Sequence, residues 1–574
     1  MKAFLTRLAS LVIYLLPVGI FTCLVMGPWG ARFQPKNIRA ALFIGAALLG
    51  MLMIQWRRPK TGWLAGLAFS LLVYGAVYKA LTFIPDVSAY PWSLGWSESS
   101  RYYYASLFFS EPVYGVSVPP SVLHPTRYLM QSLPFIIPDA PLWLHRLWQV
   151  LLWLGLNLWA GAVIARRFRA GWELALFSFL FLFQGPVYYH LLVMVVLVVW
   201  GFDSHRFGRS LFVVLLASVW AGLSRVNWFP MPALMASVLY FMEAPIGKQP
   251  IWRYLLPVVA WGVFGTLTAF LAQNAYILLS GNPAMLFSSS FSSDLLWYRL
   301  WPNATYGPGI LRSVWRASFP LLLLILARWL PDWRRYHPMR LLGIGAAVCL
   351  VLAGGIVVSV KIGGGSNLHN VDAYLVLLLL VGAGLYYHQA QPEPVASENG
   401  ISQPLRAQSA LWPLVFFVLL FPIRDLTQTG APLPQRDEVT ANQEVEVLSA
   451  AVQQEAQAGG EILFIDQRHL LTTHQIKNVP LVPDYEVVFL MEMVMSNNQP
   501  YMERFHQELK EKQFAMIVMG TPAMHYQDQS NAFAEENNKW VDQVAAPLLC
   551  YYQPTLTLPD SGMSILTPRD QPCD

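Results

Sequence analysis

Apolar residues in this chain gather into long, almost uncharged runs parted by short polar loops, and the runs stop abruptly near residue 423. A helix that crosses a bilayer needs roughly 17–25 mainly apolar residues, fewer where neighbouring helices enclose it. On that template about thirteen segments qualify: 8–26, 39–55, 62–83, 141–164, 171–187, 188–202, 210–224, 228–243, 254–280, 317–331, 341–360, 373–388 and 410–423. Several are short, and the stretches 171–202 and 210–243 each admit a different count. Beyond them the pattern changes. "EILFID" (461–466) and "FAMIVMG" (514–520) have the length of buried strands, and "PYMERFHQELKEKQ" (500–513) between them has helical period. Strand, helix, strand implies two parallel strands joined by a crossover. The expected architecture is a polytopic α-helical membrane protein of about thirteen spans over residues 1–422, followed by a soluble α/β domain over 423–574.

Composition agrees. Of 574 residues 55% are hydrophobic and 12% charged, which excludes a simple soluble domain. The start, "MKAFLTRLASLVIYLLPVGIFTCLVM", is basic and then apolar for too long to be a cleaved leader, and no A-x-A site follows, so it reads as a retained signal-anchor helix.

Charge then orients the chain. Lys and Arg concentrate in cytoplasmic loops, and "RRPK" (57–60), "RRFR" (166–169), "SHRFGR" (204–209), "GKQPIWR" (247–253) and "RWLPDWRRYHPMR" (328–340) share one parity with the N-terminus. Arg32, Lys36 and Arg39 argue the other way, one loop against five. The resulting expectation is a multi-pass protein of the inner or plasma membrane, with loop 84–140 and the C-terminal domain extracytoplasmic and the polar linker 388–406 inside. Residues 1–422 hold 29 Lys/Arg against 12 Asp/Glu, and residues 423–574 hold 9 against 21. The acidic tail is therefore a separate aqueous unit. Cys23 and Cys349 fall in apolar runs and read as core residues, while pairing of Cys550 with Cys573 stays open. The chain has no Walker-type loop, CxxC pair, HExxH motif or internal repeat.

The outer face collects the unusual polar residues. Loop 84–140 is longer than most connections and carries "ESSRYYYASLFFSEPVYG", in which Tyr102, Ser106 and Phe109 share a helical stripe. Such a helix should lie along the membrane interface with its tyrosines at headgroup level and Glu98 near its N-terminus.

In this setting Glu98-Ser99-Ser100-Arg101-Tyr102 resembles the D-E-x-R-Y signature of the GT-C glycosyltransferases, such as protein O-mannosyltransferases and aminoarabinose transferases. "VLHPTRYLMQSLPF" (122–135) resembles their H-P-P-L-Y-Y segment, and "PLWLHRLWQVLL" (141–152) the following helix start with its arginine, here Arg146. "GLSRVNWFPMPAL" (222–234) is similar to a small-residue turn with an arginine, and "NLHNVDAYLVLLL" (367–379) to the late outer loop entering a span. The first acid is Glu98 rather than Asp, the second is Ser99, and the second proline of H-P-P is Thr126.

The resemblance implies an inverting glycosyltransferase. It would move a sugar from a polyprenyl-phosphate donor to a glycan, lipid or protein acceptor on the extracytoplasmic face, with membrane lipid as its setting and no nucleic acid partner. Glu98 would be the general base, with Arg225 and Lys361 on the donor phosphate and Arg101 and Arg127 behind them. Tyr102, Tyr103, His124, His369 and Asp372 would line the substrate pocket. Asp86, Glu98 and Glu111 have no metal-enforcing spacing, so neither a metal nor a cofactor is expected. A transporter of a lipid-linked or small polar substrate, or a non-catalytic scaffold presenting the C-terminal domain, are the competing readings.

Overall fold

The computed structural model describes residues 2–33, 35–185, 187–331, 336–364, 367–387, 412–427, 429–430, 432–571 and 573. The linker 388–406 and part of the basic loop 328–340 lie outside them. Each of the thirteen apolar segments forms a helix. Eight helical segments, among them Leu142–Arg167 and Ile251–Leu279, are long and apolar enough to cross a membrane. The chain is thus a mainly helical, multi-pass membrane protein with a small C-terminal sheet.

The remaining five helices have 13 to 16 residues: Trp172–Gln184, Tyr189–Gly201, Phe207–Gly222, Met231–Glu243 and Trp412–Thr427. At 1.5 Å per residue each reaches only about 20–24 Å, short of a hydrocarbon core of about 30 Å. Enclosure explains the brevity of the central ones. Tyr189–Gly201 is apolar on every side, and Leu191, Leu192, Met194 and Val198 are fully buried, as an all-round hydrophobic helix must be. Small residues let the helices close up. A Cβ on Gly222 would stand 2.1 Å from the Ala269 carbonyl oxygen, and one on Gly161 2.5 Å from that of Ala175. Cys23 and Cys349, expected in the core, instead sit exposed on the outside of the bundle, where lipid accepts a thiol as readily as a neighbouring helix does.

Past residue 437 the chain builds a four-stranded sheet of order β1-β2-β4-β3, from Ile462–Phe464, Met516–Gly520, Tyr552–Thr557 and Met563–Pro568. β1 and β2 are parallel, with Leu463 opposite Ile517, and Gln499–Lys510 lies in the crossover between them. β4 returns antiparallel to both β2 and β3. Helix Glu438–Gln457 starts at Asp437, whose carboxylate accepts from the Val439 and Thr440 amides, a conventional N-cap. Cys550 and Cys573 are joined in a disulfide with Cα atoms 4.9 Å apart, tying the last residues to the helix before β3.

Loop 84–140 does contain a helix, Glu98–Ser106, but its tyrosines are buried in protein. Tyr102, Tyr103 and Tyr104 are 1%, 1% and 6% exposed, because His145 covers the first and the α/β unit sits on the other two. The aromatic stripe read as a lipid-facing surface is a protein–protein contact.

Candidate functional site

The Glu98 carboxylate is fully engaged. Its Oε1 accepts from Arg146 Nε at 3.0 Å and from the Tyr102 hydroxyl at 3.2 Å, and its Oε2 accepts from Arg146 Nη2 at 3.1 Å and the Leu94 amide at 2.5 Å. Arg146 in turn donates to the carbonyls of Ser88, Tyr90 and Trp92. Both side chains are almost fully buried. Burial alone pushes the Glu98 carboxyl upward, but the Arg146 hydrogen bonds and charge, the Leu94 amide and Arg101 outweigh it and hold it below the usual glutamate range. A general base needs a lone pair turned toward the acceptor. Glu98 turns both oxygens toward the protein, so in this arrangement it closes loop 84–97 onto the head of the Leu142–Arg167 helix.

The next residues dock the α/β unit. The His469 amide donates to Ser99 Oγ at 3.2 Å, Tyr104 donates to Glu486 Oε2 at 2.6 Å, and Ser100 donates to the other Glu486 oxygen. Tyr103 donates to the Pro483 carbonyl and lies 4.6 Å under the Arg468 guanidinium. Lys361 is also drawn into docking, its Nζ 2.6 Å from Glu492, and the fully buried Arg299 holds Glu535 and Glu536. Of the residues singled out by sequence, Tyr103 and Lys361 therefore belong to the seam between helices and sheet, while Glu98 and Tyr102 sit beside it, bonded to each other and to Arg146. Arg101 lies at its edge, reaching Ser97 through Nη1 while its buried Nε has no hydrogen-bond partner.

The others converge elsewhere. Arg127 and Arg225 face one ring, each guanidinium carbon 5.2 Å from the centre of Tyr188. His369 stacks on Tyr188 at 4.8 Å, and His190 lies 4.7 Å from Trp228 and 5.2 Å from Tyr188. Asp372 opens its helix, its Oδ1 accepting from Trp228 Nε1 at 3.0 Å and from the Ala373 amide at 2.7 Å. Arg225 Nη2 reaches Asn370 Oδ1 at 3.3 Å. His124, in a left-handed conformation with φ 50°, holds Nδ1 3.2 Å from the Ser224 carbonyl. Burial first, then Arg225 and Arg127, push the His124 imidazole down to about 3, so it is neutral at any physiological pH.

What marks this cluster is unmet hydrogen-bonding capacity. Eighteen buried side-chain polar atoms have no hydrogen-bond partner among the described residues, and seven of them come from five residues here: Arg127 Nε, Arg225 Nη1, both ring nitrogens of His190, both amide atoms of Gln184 and Asp372 Oδ2. His190 is 1% exposed and Asp372 0%. Gln184 joins through Gly185, which packs on Leu368 and Leu375. Buried polar atoms are rarely left unpaired, and a concentration of them marks a place that binds something. Two guanidinium groups, with one carboxylate and neutral imidazoles, suit an anion, since charge-assisted bonds to arginine are the natural partners of phosphate.

His190, Tyr188 and Gln184 were not singled out by sequence. Their signal is the "QGPVYYH" break between two unusually short apolar segments (184–190), since interrupted helices often carry binding groups at the break. Among the described residues no three His, Cys, Asp or Glu side chains are placed to hold a metal ion; Asp86, Glu98 and Glu111 do not form such a group. An apolar cavity of about 810 Å³ lies between other helices, bordered by Tyr14, Trp172 and Trp412, and shares no residue with the cluster. No protein-family model matches this chain, and no curated protein matches it.

Proposed function

We propose that the chain is a GT-C-like membrane glycosyltransferase, with about thirteen crossings and an extracytoplasmic α/β domain, that takes a sugar from a polyprenyl-phosphate donor. The observation that carries the reading is the pair of arginines facing Tyr188 beside the unpartnered ring nitrogens of His190 and the unpartnered Oδ2 of Asp372. In this reading Arg127 and Arg225 hold the donor phosphate and neutralise the charge that grows on its oxygen as the bond to the anomeric carbon breaks. The acceptor oxygen attacks the opposite face of that carbon, the configuration inverts, and the electron pair leaves with polyprenyl phosphate. Asp372, whose Oδ2 has no partner, takes the acceptor proton in place of the locked Glu98. His124, His369 and Tyr188 form the walls against the sugar.

The test is release of free polyprenyl phosphate by the protein in liposomes supplied with polyprenyl-phosphate sugars. Each of Arg127→Gln and Arg225→Gln should weaken donor binding about 10–150-fold, the worth of one charged hydrogen bond. Asp372→Asn should slow turnover about 10²–10⁴-fold with donor binding retained. Donor binding that survives both arginine substitutions would sink the reading. The scaffold alternative draws on the seam, where the signature residues serve docking, and requires that no lipid-phosphate sugar binds at all.

A further inference from the structure

The end of the bundle away from the α/β unit carries a second basic feature. Along the Leu142–Arg167 helix, Arg146 lies at the seam and Arg166 twenty residues later, about 30 Å away at 1.5 Å per residue. There a groove of about 490 Å³ runs between this helix and Tyr189–Gly201, lined by Ala162, Val163 and Val199 along its length and flanked by Trp159 and Trp200. The two tryptophans are 49% and 55% exposed. Three arginines close the groove at its polar end: Arg166, Arg167 and Arg209.

Their roles differ. Arg167 is consumed: it grips Glu243 through two bonds of 2.8 and 2.6 Å and donates to the Phe202 carbonyl. Arg209 donates only Nε, to the Gly201 carbonyl at 2.9 Å. That bond satisfies the end of the Tyr189–Gly201 helix, offsets its negative dipole and holds the guanidinium at the groove. Arg166 is exposed, with no side-chain partner among the described residues. Two unneutralised guanidinium groups thus stand at the mouth of an apolar slot on a membrane-facing surface, between tryptophans suited to headgroup depth.

We propose that this groove is a binding site for an anionic phospholipid, whose phosphate pairs with Arg166 and Arg209 and whose acyl chain lies between Trp159 and Trp200. Basic pockets between spanning helices recognise such headgroups, and the volume falls within the range of small-molecule sites. The occupant is a lipid rather than a soluble anion because the lining beside the arginines, Trp159, Ala162, Val163, Val199 and Trp200, is wholly apolar and suits an acyl chain. The proposal does not depend on the glycosyltransferase reading.

The experiment is native mass spectrometry of the full-length protein released from nanodiscs of phosphatidylglycerol and phosphatidylcholine in equal amounts. The wild type should retain phosphatidylglycerol selectively. The Arg166→Gln/Arg209→Gln variant should lose that retention about tenfold or more, given the contribution of each surface-facing cation. Ala162→Trp, which fills the slot without changing charge, should lose it too and carries the test should the double variant fail to fold. Arg57→Gln/Arg58→Gln, equally basic but outside the groove, should retain the lipid. Equal retention of the two lipids by the wild type overturns the proposal, as does equal loss in the Arg57/Arg58 control. Displacement of the lipid by millimolar inorganic phosphate would assign the arginines to a soluble anion and also overturn it.

Discussion

Replacing Glu98 by Gln separates the two roles available to it, base or buried lock. The carboxylate and Arg146 form a two-pronged pair, with bonds of 3.0 and 3.1 Å and side chains 5% and 1% exposed. Removing one partner of such a pair typically costs about 3–5 kcal/mol, because the other charge stays buried without compensation. Gln keeps the shape and one accepting oxygen, and Arg146 keeps three carbonyls, so the loss should fall near the lower end, about 3 kcal/mol. Arg146→Met alone should cost at least as much, since it strands the carboxylate. Glu98→Leu with Arg146→Met should recover most of the loss, as apolar replacement of a whole buried pair often does. The readouts are the apparent unfolding temperature in detergent and the rate at which trypsin releases the 438–571 region. Acid supplies a second signature. A carboxyl held below its ordinary value stabilises the fold fully above that value, about 4.3, and the contribution fades as pH falls through the lower folded-state value. The wild type should therefore weaken on acidification below about pH 4 more steeply than Glu98→Gln. A variant that unfolds like the wild type at neutral pH yet has lost transfer would refute the lock and restore Glu98 as the base.

Two further outcomes follow from the same reasoning. Asp466 lies two residues past β1, where burial and nearby Glu486 outweigh the Gln467 amide and raise its carboxyl to about 6. A raised carboxyl favours the protonated native state, so stability falls as pH climbs from about 4 to 6, and Asp466→Asn should add about 2–3 kcal/mol at pH 7.5 and nothing at pH 3.5; no gain at pH 7.5 in a melting series would show the charge to be solvated. For topology, a periplasmic-type reporter fused after residue 430 should be active and one at 395 inactive, because thirteen crossings put the α/β unit opposite the N-terminus whereas eight would bring it back; the reverse pattern would turn every motif to the other side.

The helices were legible because a bilayer leaves a one-dimensional imprint on sequence: an uncharged run of sufficient length needs no knowledge of its neighbours. The parallel β1–β2 pair was legible for a related reason, since strand length and helical period are local. β3 and β4 escaped for different reasons: "YQPTLT" is an edge strand and mostly exposed, while "MSILTP" is buried between β2 and β3 but interrupts its apolar residues with Ser and Thr, so neither carries a long apolar run. What the sequence could not encode locally was the partner. Glu98, Lys361 and the three tyrosines have the chemistry of an active site and also the chemistry of a buried seam. The partners they meet are Arg146, 48 residues away, and Arg468, Glu486 and Glu492, more than 100 residues from the groups they engage. The orphan cluster shows the converse. Arg127, Arg225, His124, His369 and Asp372 come from three separate stretches, and the side chain both arginines face, Tyr188, lay at what read as the boundary between two spans. A carboxylate beside arginine and tyrosine is thus ambiguous until its fourth ligand is known: at Glu98 the donors all come from the protein, which leaves no oxygen for a substrate in this arrangement, whereas at Asp372 one oxygen in a buried cationic setting is left over and can accept from another molecule.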